Sequence, residues 1–328
     1  MARLLLLVIS LLALSACAST PPLTRGGQPA MAGKTVVVTG ASSGFGRGVA
    51  IELARRGANV VLAARRPAEL ESAAAEARAA GGQALPVPTD VSDPAAMAAL
   101  AQAAEARFGP IDIWINNAGV GAIGRFDEIP LEDHDRVVDV NLKGVIHGSH
   151  EALRRFRARG QGTLVNIGSA TSRVPQPYLA TYTATKHAVL GLSEALNQEL
   201  RANGEGRHIR VATVMPWAAD TPWFDNAANR SGRAPVKPLP DDPRFVVDAI
   251  VRTAMFPRDR VAPGLKTKGA LLSHRVSPGL TNAVSALVYD RMIKSAPPAP
   301  NTPGNLRLPS PAPGTVKDET PAGSVVRP

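Results

Sequence analysis

From residue 34 to about residue 262 the chain repeats one unit: a short apolar run, a turn, then a helical segment long enough to cross a sheet. The runs fall at 35–38, 59–63, 83–87, 111–115, 162–167 and 209–214, with a last short one at 258–262. Helical patterns lie between them. The first ends at Arg56 before a Gly57 cap, the second covers about 68–80, and the third opens at Pro94 and stops near Gly109. Longer ones cover 131–157 and 181–202, and a further one covers 244–255. Strands that are apolar throughout are buried on both faces, as in a parallel sheet. Strands alternating with helices of this length form right-handed βαβ units. The spacing therefore predicts an α/β fold, a doubly wound parallel sheet in a single domain over 34–295. Its ligand site is expected at the carboxyl ends of the strands, where the strand order switches.

Composition narrows what such a fold can be doing. The chain has 328 residues, 45% of them hydrophobic and 20% charged, which excludes a wholly disordered chain and a polytopic membrane protein. A single Cys excludes a disulfide framework and a multi-cysteine metal site, and no metal is expected. The net charge of +10 invites a nucleic-acid reading, but its distribution argues against one. Residues 34–228 carry 20 basic and 20 acidic side chains, whereas 229–275 carry 10 basic and 4 acidic. The basicity marks a flank, either a solvated face or a local attraction for an anion or a membrane surface. No nucleic-acid-binding motif accompanies it.

The two ends read differently from the body. Residues 1–17 place Arg3, an apolar run over 4–14 and then Leu14-Ser15-Ala16-Cys17, the pattern of a secretory signal. The run is shorter than the ~20 residues a membrane span needs. The last four residues resemble a bacterial lipobox, which makes Cys17 a lipidation site and the protein a membrane-anchored lipoprotein, with 18–33 as linker. The alternative is translation from Met31 and a cytoplasmic protein. At the other end, residues 296–328 contain nine prolines and read as a disordered or polyproline-like tail.

Directly after the first strand comes Thr39-Gly40-Ala41-Ser42-Ser43-Gly44-Phe45-Gly46. Glycines at 40, 44 and 46 allow a tight turn and close backbone approach to a pyrophosphate, and the following helix offers its unpaired N–H groups to the phosphates. After the second strand the chain reads Arg65-Arg66, with no acid until Glu69. A carboxylate there would accept the 2′-hydroxyl of NAD, whereas guanidinium suits a 2′-phosphate. NADP(H) is therefore expected over NAD(H), the alternative being two arginines that merely flank a surface helix. Further on, Tyr182 and Lys186 stand four residues apart on one helical face. An ammonium beside a phenol favours the phenolate, so the pair can shuttle a proton while a cofactor moves hydride.

Taken together, these motifs resemble the short-chain dehydrogenase/reductase family. The glycine turn at 39–46, Asp90-Val91, Asn116-Asn117-Ala118-Gly119, Asn141, Ser169, Tyr182 and Lys186 match that family's motifs in order, over about residues 34–263. The resemblance implies a Rossmann-type sheet and an NADP-dependent oxidoreductase acting on CH–OH groups. It implies Tyr182 as general acid/base, Ser169 as the group that polarises the substrate oxygen, and Lys186 as ribose ligand that lowers the Tyr182 pKa. It implies Asn141 as support for a water, and Asp90, Val91, Asn117, Ala118, Gly119, Pro216 and Thr221 as further cofactor contacts beside Ser42, Ser43 and Phe45. It also implies dimers or tetramers. One position departs: Trp217 stands where the family's Pro-Gly pair has glycine. Trp217, Trp223 and Phe224, and Tyr178 one turn before Tyr182, are candidates for the wall of a substrate pocket under a lid at about 217–242. They suit a moderately hydrophobic alcohol or ketone. The competing function is a catalytically silent NADP(H)-binding redox sensor.

Overall fold

The computed structural model describes residues 24–25, 28–312 and 314–317. The signal-like segment and Cys17 lie outside these. Among the described residues no helix is long and apolar enough to cross a membrane.

Seven parallel strands form the central sheet: β1 (Thr35–Thr39), β2 (Asn59–Ala64), β3 (Gln83–Pro88), β4 (Ile111–Asn116), β5 (Gly162–Ile167), β6 (Ile209–Val214) and the short β7 (Arg260–Val261). Their spatial order is β3-β2-β1-β4-β5-β6-β7, so the chain doubles back between β1 and β4. The principal helices are α1 (Gly44–Arg55), α2 (Pro67–Ala79), α3 (Pro94–Phe108), α4 (Leu131–Val138), α5 (Gly144–Arg159) and α6 (Ala180–Ala202). They continue as α7 (Trp223–Asn226), α8 (Pro243–Met255), α9 (Gly264–Val276) and α10 (Pro278–Ser295).

The period-two alternation of β1 shows how the layers form. Val36 and Val38 join the core under α1, α2 and α8, with Leu53, Leu70 and Ile250. Val37 joins the opposite core under α3, α5 and α6, with Leu100, Phe156 and Leu200. Val-Val-Val is thus buried on both faces of one strand. Pro86 and Pro88 confine β3 to the edge, where it pairs with β2 alone.

Three expectations change. The helix expected over 131–157 is interrupted by a π-helical turn, Asp139–Lys143, between α4 and α5. The cause is Asn141, fully buried in that turn, whose side chain takes both main-chain groups of Val120. The strand expected at 258–262 shrinks to two residues. Finally, 296–317 has almost no regular secondary structure, as its prolines dictate, yet the described part is seated on the body: Leu306 is fully buried in the α3/α5/α6 core.

Candidate active site

The switch between β1 and β4 opens a cleft at the carboxyl edge of the sheet, and the glycine turn forms its floor. Gly40 adopts φ +67°, and a Cβ there would sit 2.8 Å from Ala118 Cα. A Cβ on Gly46 would sit 2.3 Å from the Gly40 carbonyl oxygen. Only bare backbone lets β1, α1 and the 116–119 segment approach this closely. Asn117 secures the junction: its Nδ2 donates to the Thr39 carbonyl at 2.9 Å, and its N–H donates to Thr39 Oγ1 at 3.0 Å. Beneath it a buried chain of amides runs from Trp114 through Asn116 and Asn166 to Ser193 and stiffens the centre of the sheet. Ser43 precedes α1 in extended conformation without a side-chain cap, which leaves the helix N-terminus to backbone partners.

On the far wall stand Ser169, Tyr182 and Lys186; Asn141, the fourth polar residue singled out from the sequence, is fully buried and does not line the cleft. Lys186 is buried and donates from Nζ to the Ile167 carbonyl at 2.8 Å, with Nζ 5.6 Å from the centroid of the Tyr182 ring. Ser169 opens a short 3₁₀ turn, where its Oγ accepts from the Thr171 N–H at 3.2 Å. Asn141 holds Val120 from the π turn by two hydrogen bonds of 2.8 and 2.9 Å. Its Nδ2 also lies 3.4 Å from Thr185 Oγ1. Burial sets the proton balance. It pushes the Tyr182 phenol up to about 12, against a smaller downward pull from a hydrogen bond with Ser169, and pushes the Lys186 ammonium down to about 8. The one downward pull on Tyr182 comes from Ser169 and not, as expected from the sequence, from Lys186.

Gly40, Ser42, Ser43, Gly44, Phe45, Arg65, Arg66, Asp90, Val91, Asn117, Ala118, Gly119, Pro216, Trp217 and Thr221 line the same cleft as Ser169, Tyr182 and Lys186, around a cavity of about 260 Å³. Gly46 lies behind it. Trp217, at the position of the family's glycine, lines the cleft. Its Nε1 donates to the Pro238 carbonyl at 2.9 Å, which ties the indole to the lid. Trp223 packs on Tyr182, centroids 5.0 Å apart, and meets Phe224 edge-on at 4.9 Å. That position depends on Gly121, where a Cβ would lie 2.6 Å from the Trp223 ring. Tyr178 goes elsewhere: at φ +63° its hydroxyl turns outward and donates to Asp290, lining a separate outer groove.

The C-terminal segment completes the cleft, and composition had not suggested it. It leaves α10, pairs with the lid at Asn229 and Thr302, and crosses the cofactor edge as a strap. Arg65 donates to the carbonyls of Asn305, Leu306 and Arg307. Arg66 donates to Ser310 and Ala312, the latter at 2.6 Å. The Gly44 N–H donates to the Thr315 carbonyl at 2.7 Å. Asp90 pairs with Arg136 at 2.6 Å, and Arg136 in turn reaches the Leu306 carbonyl. Tyr289 of α10, Thr171 and Asn305 also line the cleft.

Against known proteins, the short chain dehydrogenase family matches residues 34–231, more than half of the chain. The chain belongs to the short-chain dehydrogenase/reductase family. Among relatives in this family, the oxidoreductase UcpA of Escherichia coli K12 is 35% identical over 237 residues, covering 72% of this chain and 85% of UcpA. The 3beta-hydroxysteroid dehydrogenase 1 of Eggerthella lenta is 40% identical over 194 residues, 58% of this chain and 72% of that protein. The probable oxidoreductase EphD of Mycobacterium tuberculosis is 41% identical over 191 residues, but the match spans only 32% of EphD. A metagenomic short-chain oxidoreductase solved in complex with NADP superposes with a TM-score of 0.60 at 30% identity, covering 72% of this chain and all of that one. A short-chain type dehydrogenase/reductase from Mycobacterium marinum gives 0.62 at 26% identity, covering 71% and 94%.

The cleft also fits a nicotinamide dinucleotide on its own terms. The glycine turn is too close-packed for a Cβ, the start of α1 lacks a side-chain cap, and two guanidiniums face the end of β2. The buried Asn305 Oδ1 at that end has no hydrogen-bond partner among the described residues.

Proposed function

We propose that the protein interconverts a carbonyl and an alcohol with NADP(H), using Tyr182 as proton donor and acceptor. The observation that carries this reading is one cleft holding Ser169, Tyr182 and Lys186 at one end and Arg65-Arg66 at the other. Arg65 and Arg66 are the groups that would hold a 2′-phosphate, and their preference for it over a ribose hydroxyl is bidentate and charge-assisted. NADP(H), when bound, supplies or accepts the hydride. Ser169 holds the substrate oxygen beside the Tyr182 hydroxyl. In reduction, Tyr182 gives its proton to that oxygen as charge develops there. Burial keeps the phenol protonated at neutral pH, which suits it as the acid. Lys186 stands behind it with Nζ anchored on Ile167, placed to stabilise the phenolate left after transfer. The apolar rings of Trp217, Trp223 and Phe224 favour a moderately hydrophobic substrate. Purified protein is expected to oxidise NADPH when given ketones or aldehydes, and Tyr182→Phe to lower kcat by about 10²–10⁴. Normal turnover by the Phe variant would discard Tyr182 as the acid.

A further inference from the structure

Beside Ser169, Tyr182 and Lys186, two residues that line the cleft carry buried hydroxyls without a partner among the described residues. Tyr289, on α10, is 2% exposed and among the largest fully enclosed side chains of the molecule. It packs with Leu179 and Phe224 in a cluster that Tyr182 and Trp223 also join, and it lines the cleft. Its hydroxyl has no hydrogen-bond partner among the described residues, and neither does that of Thr171, two positions after Ser169. A buried polar group left unpaired costs on the order of 1–3 kcal/mol, so it calls for an explanation. A packing role does not supply one, since phenylalanine and valine would fill the same space without the penalty. Both orphans belong to the cleft that holds Ser169 and Tyr182, among otherwise apolar rings.

We infer that Tyr289, with Thr171 beside it, reads a second oxygen on the substrate, remote from the carbonyl that Ser169 and Tyr182 hold. This rests on the carbonyl/alcohol reading above and narrows it. The substrate is an apolar carbonyl compound that carries a further uncharged hydrogen-bond acceptor, such as a second ketone, an ether or an ester. The phenol stays protonated because burial pushes it up, so it acts as donor and needs an acceptor. A carboxylate is disfavoured because its charge would lose its hydration in an apolar, enclosed cluster. Sites built to hydrogen-bond a substrate group reject the analogue that lacks it, because their own polar atom is then left bare.

The experiment compares 2-decanone with the decanediones whose second carbonyl stands at C5 through C9. On wild-type protein at least one dione is expected to exceed 2-decanone in kcat/KM by about tenfold, the worth of one good hydrogen bond. Tyr289→Phe should erase that advantage while leaving 2-decanone within twofold, and Thr171→Val should reduce it. The thermal midpoint of Tyr289→Phe should be unchanged or higher, because the hydroxyl supports nothing in the fold. No preferred dione, an equal loss on both substrates, or a clear fall in Tm would each overturn the assignment. Quenching of tryptophan emission by the same ligands gives the preference independently of turnover. If Tyr182→Phe remains fully active while the dione preference persists in binding, it is the acid/base reading that fails and not this one.

Discussion

At the scale of single residues the site is governed by burial as much as by charge. Lys186 keeps its proton only to about pH 8 in the folded chain, against about 10.4 for a free lysine. Between those values the unfolded chain binds more protons, so unfolding free energy rises with pH. The gain amounts to about 3 kcal/mol once pH passes 10. Denaturant titrations from pH 7.5 to 10 should show this rise in the wild type and not in Lys186→Met. Gly121 makes a second prediction. Alanine there puts a methyl 2.6 Å from the Trp223 ring, which must leave Tyr182 to relieve it. KM should then rise several-fold with NADPH affinity held, as steady-state kinetics and titration can show. That Ser169, Tyr182 and Lys186 meet the glycine turn in one cleft was legible because these residue types stand at fixed spacing after successive strands. Tyr289 was not, because it lies more than a hundred residues beyond Tyr182, in a helix whose apolar side chains mostly face outward. Tyr178 misled for the opposite reason. Its helical spacing from Tyr182 assumed a helix that begins only at Ala180.

Among the elements, the break between α4 and α5 matters most for the site. A single straight helix over 131–157 fits the apolar pattern, and the pattern alone conceals the π turn. Insertion of one residue's worth of slack is a recurrent feature of functional positions in helices. Here it carries Asn141 to the main chain of Val120, next to the 116–119 segment. Asn141→Leu strips two hydrogen bonds from buried groups and should lower stability by about 2–4 kcal/mol, visible as a fall in the urea midpoint at unchanged slope. The six long strands were read within a residue; runs buried on one or both faces leave little freedom in five of them, and β3 at the edge was read from its apolar residues alone. Helices α9 and α10 went unread. Leu272, Val276, Leu280, Val284, Leu287 and Val288 recur every three or four residues, but this stripe is exposed rather than set on the core, and Pro278 interrupts it.

On the scale of the whole molecule, the strap sets the terms on which a cofactor meets the protein. Arg66 spends Nη1 on the main-chain carbonyls at 310 and 312, so the strap holds donors that a 2′-phosphate would otherwise take. A chain ending after Arg307 keeps Leu306 in the core and the Arg307–Asp133 ion pair but frees Arg66 and Gly44. Its Kd for NADPH should fall about tenfold, and that for NADH much less, by fluorescence titration or calorimetry. An equal or weaker NADPH affinity would show that the strap does not compete. Proline content correctly announced the lack of helix and strand here. The docking was hidden because carbonyl oxygens are the groups that dock, and every residue has one. The strap's contacts to Arg65 and Arg66 join residues 240 to 246 positions apart. Such pairings close very long loops, and beyond the buried Leu306 they rest on little buried apolar surface, so that part forms last in folding and opens first at equilibrium. In hydrogen exchange the amides of Gly44, bonded to the Thr315 carbonyl, and of Gly314, bonded to the Glu69 carboxylate at 2.6 Å, should therefore lose protection well before those of β1 and β4. The cofactor edge is then the part of this protein that unfastens without the rest unfolding.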